Sequence, residues 1–309
     1  MPEVQPVEYN QVTRAVPETG IRKAVGGISG YRFSFDHPIC PLYKNSREAI
    51  LHMVKDRACY KPGIMTLESK CRIIGTSKPG VRNPRECGVP EGDVTFMKIA
   101  IIGASGKIGA FIRDEALARG HQVTAIVRHP ERITVQRSCL RVVKADILED
   151  KVDELVKGHD AVISAYNPGW SNPDIYNEQI EGYRRIISGV KKSGIKRLLV
   201  VGGAGSLEVA PGVQVLDTAS FPEQVKGGVL ATREVLYMLR KEKRLEWTFL
   251  SPPSSIAPGE RTGRYRIGKD QLLKNKEGES RISTQDYAVA MLDELENPQH
   301  IRDRFTVAY

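Results

Sequence analysis

Met97-Lys-Ile-Ala-Ile-Ile-Gly103-Ala-Ser-Gly106-Lys-Ile-Gly109 decides the fold. Lys98–Ile102 is an apolar run of buried-strand length, and an amphipathic helical pattern follows it over 108–119. Three glycines join the two, and each has a physical task. Gly103 allows a tight turn off the strand, Gly106 lets the backbone approach a pyrophosphate, and Gly109 lets the helix pack on the sheet. The helix start then offers free N–H groups and partial positive charge to phosphate. The loop residues Gly103, Ser105, Gly106, Lys107, Ile108 and Gly109 are therefore read as a dinucleotide cradle.

Outward from this loop, strand-length runs alternate with helical segments through to Tyr309, the pattern of βαβ units and a parallel sheet. The predicted strands are Lys98–Ile102, Gln122–Val127, Leu140–Lys144, Ala161–Ala165, Arg197–Val201 and Glu246–Leu250, with a last one at Phe305–Ala308. Helices are predicted near Ile108–Arg119, Lys151–Val156, Glu178–Ser193 and Ala231–Lys243. A hairpin is predicted around Arg264–Gln271, and Ser283-Thr-Gln-Asp286 reads as a capping box opening a helix over Tyr287–Glu296. The expected fold class is α/β, a doubly wound, mostly parallel sheet in a single domain spanning 97–309.

Residues 1–96 differ in character. They hold nine of the eighteen prolines and show little periodicity beyond one amphipathic stretch, Arg47–Asp56. Met97 starts a stretch of 213 residues, enough for a complete core of its own. The expectation for 1–96 is a poorly ordered extension, or an upstream stretch read through from a start codon placed too early.

The second strand selects the cofactor. A site preferring NAD places an acid at its end to bond the adenosine ribose. Here the strand ends in Arg128, which suits a 2′-phosphate, with Lys107 adding a nearby charge. NADP(H) is thus expected over NAD(H). Asp146, after the third strand, can accept from the adenine amino group or simply form a turn; Ile147 beside it can pack on the ring. Ala165 and Tyr166 end the fourth strand, beside the cofactor ribose and nicotinamide. The loop Asn167–Trp170 can cover the site, with Trp170 as a stacking surface for a flat substrate or as a loop anchor.

From residue 97 onward the chain resembles the atypical short-chain dehydrogenase/reductases with an NmrA-like, NAD(P)-binding Rossmann domain. Within these it is most similar to bacterial NADH-flavin reductase-like and biliverdin reductase B-like proteins. The segments that carry the resemblance are MKIAIIGASGKIG, VTAIVR, HDAVISAYNPG, KRLLVVGGAGSLEVAPG, WTFLSPP, GERTGRYRIG and SRISTQDYAVAMLDELENP. The resemblance implies a cofactor cleft that also includes Gly202, Gly203 and Pro252–Pro253.

Conventional members of this superfamily use Tyr-x-x-x-Lys for proton transfer to a carbonyl. The one match, Tyr237–Lys241, falls at the far end of its helix; the functional positions align with Lys226 and Leu230. The serine and histidine of the biliverdin reductase B relatives align with Gly203 and Ser254. Ser206 lies near the first and can substitute or can be an ordinary loop serine. No catalytic residue is assigned. Hydride transfer to a flavin needs mainly two flat rings held in contact, because the cofactor carries the chemistry. The expected function is an NADPH-preferring reductase of a flavin, quinone or similar planar acceptor, with flavin as substrate rather than bound cofactor. The alternative is an NADP(H)-binding regulatory protein without turnover.

Composition narrows the field. Hydrophobic residues form 40% and charged residues 27% of the 309, as in globular proteins, and no apolar run reaches the roughly 18 residues of a membrane span. The net charge of +9 is spread without a block of like charge, and aromatics are only 6%, so no nucleic-acid partner is expected. The five cysteines, four of them before residue 97, lack metal-ligand spacing and read as reduced thiols, with no metal expected. No signal-peptide pattern opens the chain, and the expected location is the cytoplasm.

Overall fold

The computed structural model describes residues 96–219 and 221–309. The predicted helix at Arg47–Asp56, the proposed extension and the first four cysteines lie outside the described residues.

The order of elements is β1 (Lys98–Ile102), α1 (Gly109–Ala118), β2 (Gln122–Val127), β3 (Leu140–Lys144), α2 (Val152–Val156), β4 (Ala161–Ser164), α3 (Ile175–Ser193), β5 (Arg197–Val201), β6 (Glu208–Ala210), β7 (Val213–Gln214), α4 (Glu223–Lys241), β8 (Glu246–Ser251), β9 (Ser255–Ala257), β10 (Arg266–Gly268), β11 (Arg281–Ser283), α5 (Thr284–Glu296) and β12 (Asp303–Ala308). Eight strands form one sheet in the order β3-β2-β1-β4-β5-β8-β12-β10. All pairs are parallel except β10 with β12. The chain winds outward from β1 in both directions, so the crevice between the ends of β1 and β4 is a topological switch point, where such sheets take their ligands.

Strand alternation explains the two cores. Ile99 and Ile101 face α1 and α5, packing with Ile112, Ala116, Tyr287 and Met291. Ala100 and Ile102 face α2, α3 and α4, packing with Tyr183, Ile186, Val235 and Leu239. With both faces covered, the central strands are apolar throughout, as buried parallel strands are.

The predicted strands and most helices are present, with shifts of a few residues at their ends. Three expectations need correction. Helix α4 begins eight residues before the predicted Ala231, at Glu223. Within it, a Cβ on Gly228 would lie 2.7 Å from Ile175 and 2.8 Å from the Trp170 ring. Gly228 thus serves close packing inside a helix. The segment 264–271 is no local hairpin: β10 pairs with β12, which lies nearly forty residues later. Cys139, read as a reduced thiol, is disulfide-bonded. The capping box is half formed. Ser283 Oγ accepts from Asp286 N–H (2.9 Å), while the Asp286 carboxylate turns to Thr262, Gly263 and Tyr309.

Candidate functional site

The site is built at the carboxyl ends of β1, β2, β4, β5 and β8, where backbone bonds draw the strand ends together. Gly103 N–H donates to Ile126 O (2.9 Å), Ala165 N–H to Ile102 O (2.9 Å), and Gly202 N–H to Leu250 O (2.8 Å). Gly103 has φ +79°, and a Cβ there would lie 2.5 Å from the Ala165 carbonyl oxygen. A Cβ on Gly109 would lie 2.2 Å from the Gly103 carbonyl oxygen. These two glycines are fixed by the protein's own packing. Gly106 is different: its nearest neighbour would be Gly103 O at 3.3 Å, and its φ is not left-handed. Gly106 and Lys107 are exposed, and Ser105 and Ile108 are half-buried beside them. The start of α1 has no side-chain cap and no acid in its first turn. The uncapped N–H groups and Lys107 give the cradle an undiluted positive character. Arg113, buried in α1, donates to Ala104 O (3.2 Å) and pins the loop from behind. Sequence reading missed it, since an arginine on a helix gives no hint of where it turns.

Arg128 is exposed at the end of β2, and its Nη2 donates to Pro168 O (2.9 Å) across the mouth of the crevice. One oxygen of Asp146 accepts from Leu148 N–H (2.9 Å), so the residue does form the turn. Its other oxygen has no partner among the described residues and can accept from a ligand. Ile147 is 3% exposed and belongs to the core with Val152 and Val156, so its side chain has no face to offer a ring.

Tyr166 also turns away from the cleft. Its ring lies over Gly182 on α3, edge-on to Tyr183 at 5.9 Å, with its hydroxyl 3.5 Å from Glu178 O. Burial pushes its phenol up to about 12, with Arg128 opposing and Asp146 adding to the shift. The Tyr166 ring thus does not line the crevice, while the Ala165–Tyr166 backbone lies beside Gly103.

Beyond the end of β5, Gly203 packs near Thr232 of α4, and Gly202 packs against Phe249, where a Cβ would lie 2.3 Å from the ring. Gln179 donates to Thr232 Oγ1 (2.8 Å), which donates to Gly228 O (2.8 Å). Trp170 is 54% exposed and rests against Gly228, so it anchors the loop on α4 and still presents a ring to solvent. Val225, three residues before Gly228 on α4, is 36% exposed. Pro252 and Pro253 are buried at the end of β8.

Ser206 is not placed as a proton donor. It is 4% exposed, and its carbonyl and hydroxyl oxygens accept from Arg304, which is paired with Asp270. Tyr237 and Lys241 lie near the carboxyl end of α4, at the opposite edge of the sheet, while Lys226 sits in the first turn and pairs with Glu223. A hollow of about 430 Å³ along edge strand β3, lined by Ile133, Val135, Leu140 and Val142, includes no residue of the glycine loop. Among the described residues no group of His, Cys, Asp and Glu is placed to hold a metal, and no helix is long and apolar enough to cross a membrane.

Residues 103–298 match the model of an NAD(P)H-binding family. The uncharacterized protein YwnB of Bacillus subtilis is 44% identical over 214 residues, covering 68% of this chain and 98% of that protein. A solved structure from Bacteroides thetaiotaomicron, provisionally named an epimerase, is 51% identical, with a TM-score of 0.66 over 70% of this chain and 98% of that one. Another from Streptococcus pneumoniae, provisionally named an NADH-flavin reductase, is 37% identical, with a TM-score of 0.60 over 69% and 99%. With its glycine loop at the switch point of a doubly wound sheet, this chain belongs to the NAD(P)H-binding Rossmann family.

Proposed function

We propose that the protein is an NADPH-preferring reductase that delivers hydride to a flavin, a quinone or a similar planar acceptor. The observation that carries the reading is the exposed, uncapped start of α1 at Gly106 and Lys107, set in the β1–β4 crevice. Gly106 is the position where a Cβ would intrude on a ligand more than on the protein, which fits a pyrophosphate. Arg128 would hold a 2′-phosphate, the free oxygen of Asp146 the adenine amino group, and the backbones of Ala165, Gly202 and Gly203 the central part of the cofactor.

A bound nicotinamide would supply a hydride, that is, two electrons and one proton in a single transfer. The chain's own part is to position and to shield. The exposed Trp170 ring offers a flat apolar surface on which a planar acceptor would stack, and the 167–170 loop would narrow access of water. No side chain is assigned as acid or base, so the second proton of the reduced acceptor comes from solvent at the open mouth. The absence of the tyrosine–lysine pair at Lys226 and Leu230 argues against carbonyl chemistry and against a sugar epimerase. The name of the Streptococcus relative supports the flavin reading.

The test is steady-state NADPH and NADH oxidation by the full chain with FMN, riboflavin and a quinone series. Saturable turnover with the lower KM for NADPH supports the proposal. Tight NADPH binding with no turnover on any acceptor replaces it with a regulatory, cofactor-sensing role.

A further inference from the structure

Arg128 does more in this structure than end a strand. Its guanidinium reaches the carbonyl of Pro168, in the loop that leaves the neighbouring strand β4. That loop is short and braced: Asn167 Oδ1 accepts from Gly169 N–H (2.8 Å), and Gly169 has φ +125°. Two residues beyond Pro168 comes Trp170, whose ring rests on Gly228 of α4. The same α4 carries Thr232, packed near Gly203 at the acceptor end. One continuous line of contacts therefore runs from the adenosine side to the acceptor wall: Arg128, Pro168, Trp170, Gly228.

We infer that Arg128 is a positioning residue that bridges the cofactor's 2′-phosphate to the Pro168 carbonyl and thereby sets Trp170 for the acceptor. The inference rests on the NADPH reading above. A guanidinium has five N–H donors in a rigid fork, and the bond to Pro168 uses one. The rest can take a phosphate at the same time, which the three donors of a lysine on a flexible stem do less well. A phosphate that fixes Arg128 also fixes its carbonyl partner, and so the loop that ends in Trp170. The 2′-phosphate then affects the acceptor's KM, besides the affinity of the cofactor that carries it. The two ends are coupled because both bias one loop.

The two tryptophans make this measurable in the full chain. Trp247 is 2% exposed and Trp170 54%, so acrylamide quenching reads Trp170. The probes are adenosine 2′,5′-bisphosphate and 5′-AMP, each at saturation fixed by calorimetry. The bisphosphate is expected to lower the quenching constant by about a third relative to 5′-AMP, as for a loop whose bridged state leaves Trp170 54% exposed and whose open, fully exposed state is comparably populated beforehand. Arg128→Lys is expected to bind the bisphosphate more weakly and, at saturation, to give no protection. In turnover, the wild-type KM for the acceptor is lower with NADPH than with NADH, and the two converge in Arg128→Lys. Failure of the bisphosphate to bind at all overturns the NADPH reading. Binding without protection, binding that increases quenching, or full protection in Arg128→Lys overturns the bridge alone.

Discussion

Replacing Gly182 by alanine tests whether Tyr166 is a core residue or a cleft residue. Gly182 lies inside helix α3, where a glycine is about 1 kcal/mol worse than alanine when nothing else intervenes. If the Tyr166 ring lay in the cleft, Gly182→Ala would stabilise the protein by that amount. In this structure the new Cβ would lie 2.2 Å from Cε1, 2.6 Å from Cζ and 2.9 Å from the hydroxyl of Tyr166. The ring cannot retreat freely, because it is held edge-on to Tyr183, which is 1% exposed. Overpacking of this kind costs roughly 1–3 kcal/mol, so the net change is a loss of about 1 kcal/mol, opposite in sign to the propensity effect. Tyr166→Leu on its own leaves a partial cavity and lowers stability. In the double variant the leucine makes room, and the coupling between the two sites reaches about 1–3 kcal/mol toward recovery. Urea unfolding of the full chain, followed by circular dichroism, gives the four midpoints of the cycle. Stabilisation by Gly182→Ala in the presence of Tyr166 would refute the placement of the ring and return Tyr166 to the cleft.

The other predictions concern polar groups around the site. Ser206→Ala lowers stability by about 1 kcal/mol through loss of the Arg304 contact, and leaves kcat within about twofold; a collapse of kcat with stability intact would make Ser206 a catalytic proton donor. Asp270→Asn weakens the charge opposite buried Arg304 and costs about 2 kcal/mol, below the roughly 3–5 of a fully buried pair because Asp270 is half exposed. Arg240→Ala, which removes only an exposed contact to the same Asp270, costs under about 1 kcal/mol in the same denaturation assay. Glu115, Glu294 and Glu296 contribute to acid unfolding. Burial raises all three carboxyls, but bonds from Arg261 and Arg119 to Glu115, from His300 to Glu294 and from His121 and Arg119 to Glu296 outweigh it and hold them below 4.5. Groups with depressed folded values stabilise above the unfolded value and lose that contribution as pH falls through the folded one. Thermal midpoints are therefore flat in these groups above about pH 5 and fall below 4.5, and Glu296→Gln makes that fall shallower.

The sheet was legible in the sequence because its evidence is local. Runs such as Lys98–Ile102 and Gln122–Val127 are short, apolar and set between helical segments, and β1, β2, β3 and β5 begin and end where the residues suggest. The glycine loop was legible for the same reason: turn, backbone approach and helix start are neighbours in the chain. What resisted reading depends on distant partners. The first two turns of α4, before the predicted Ala231, include Gly228, which Trp170 and Ile175 press against from elsewhere in the chain. Tyr166 lies at the right strand end for a cofactor contact, yet Gly182, sixteen residues later, leaves the hole its ring occupies. Ile147 goes to the core for a similar reason, since Val152 and Val156 of α2 cover it. Strand β10 finds its partner in the last strand of the chain, and Arg113 shows its use only when Ala104 O is in view.

Gly106→Ala separates the cofactor site from the fold more cleanly than any other change in the loop. Its Cβ would approach only Gly103 O, at 3.3 Å, so the protein itself yields by a few tenths of an ångström, whereas a pyrophosphate seated on the loop has no such freedom. The measurement is calorimetric titration of NADPH into the full wild-type chain and into Gly106→Ala, with urea midpoints of both. The account predicts saturable binding to the wild type, affinity weakened about tenfold or more in the variant, equivalent to about 1.4 kcal/mol, and nearly unchanged midpoints. No binding to the wild type, or equal binding to both proteins, contradicts it.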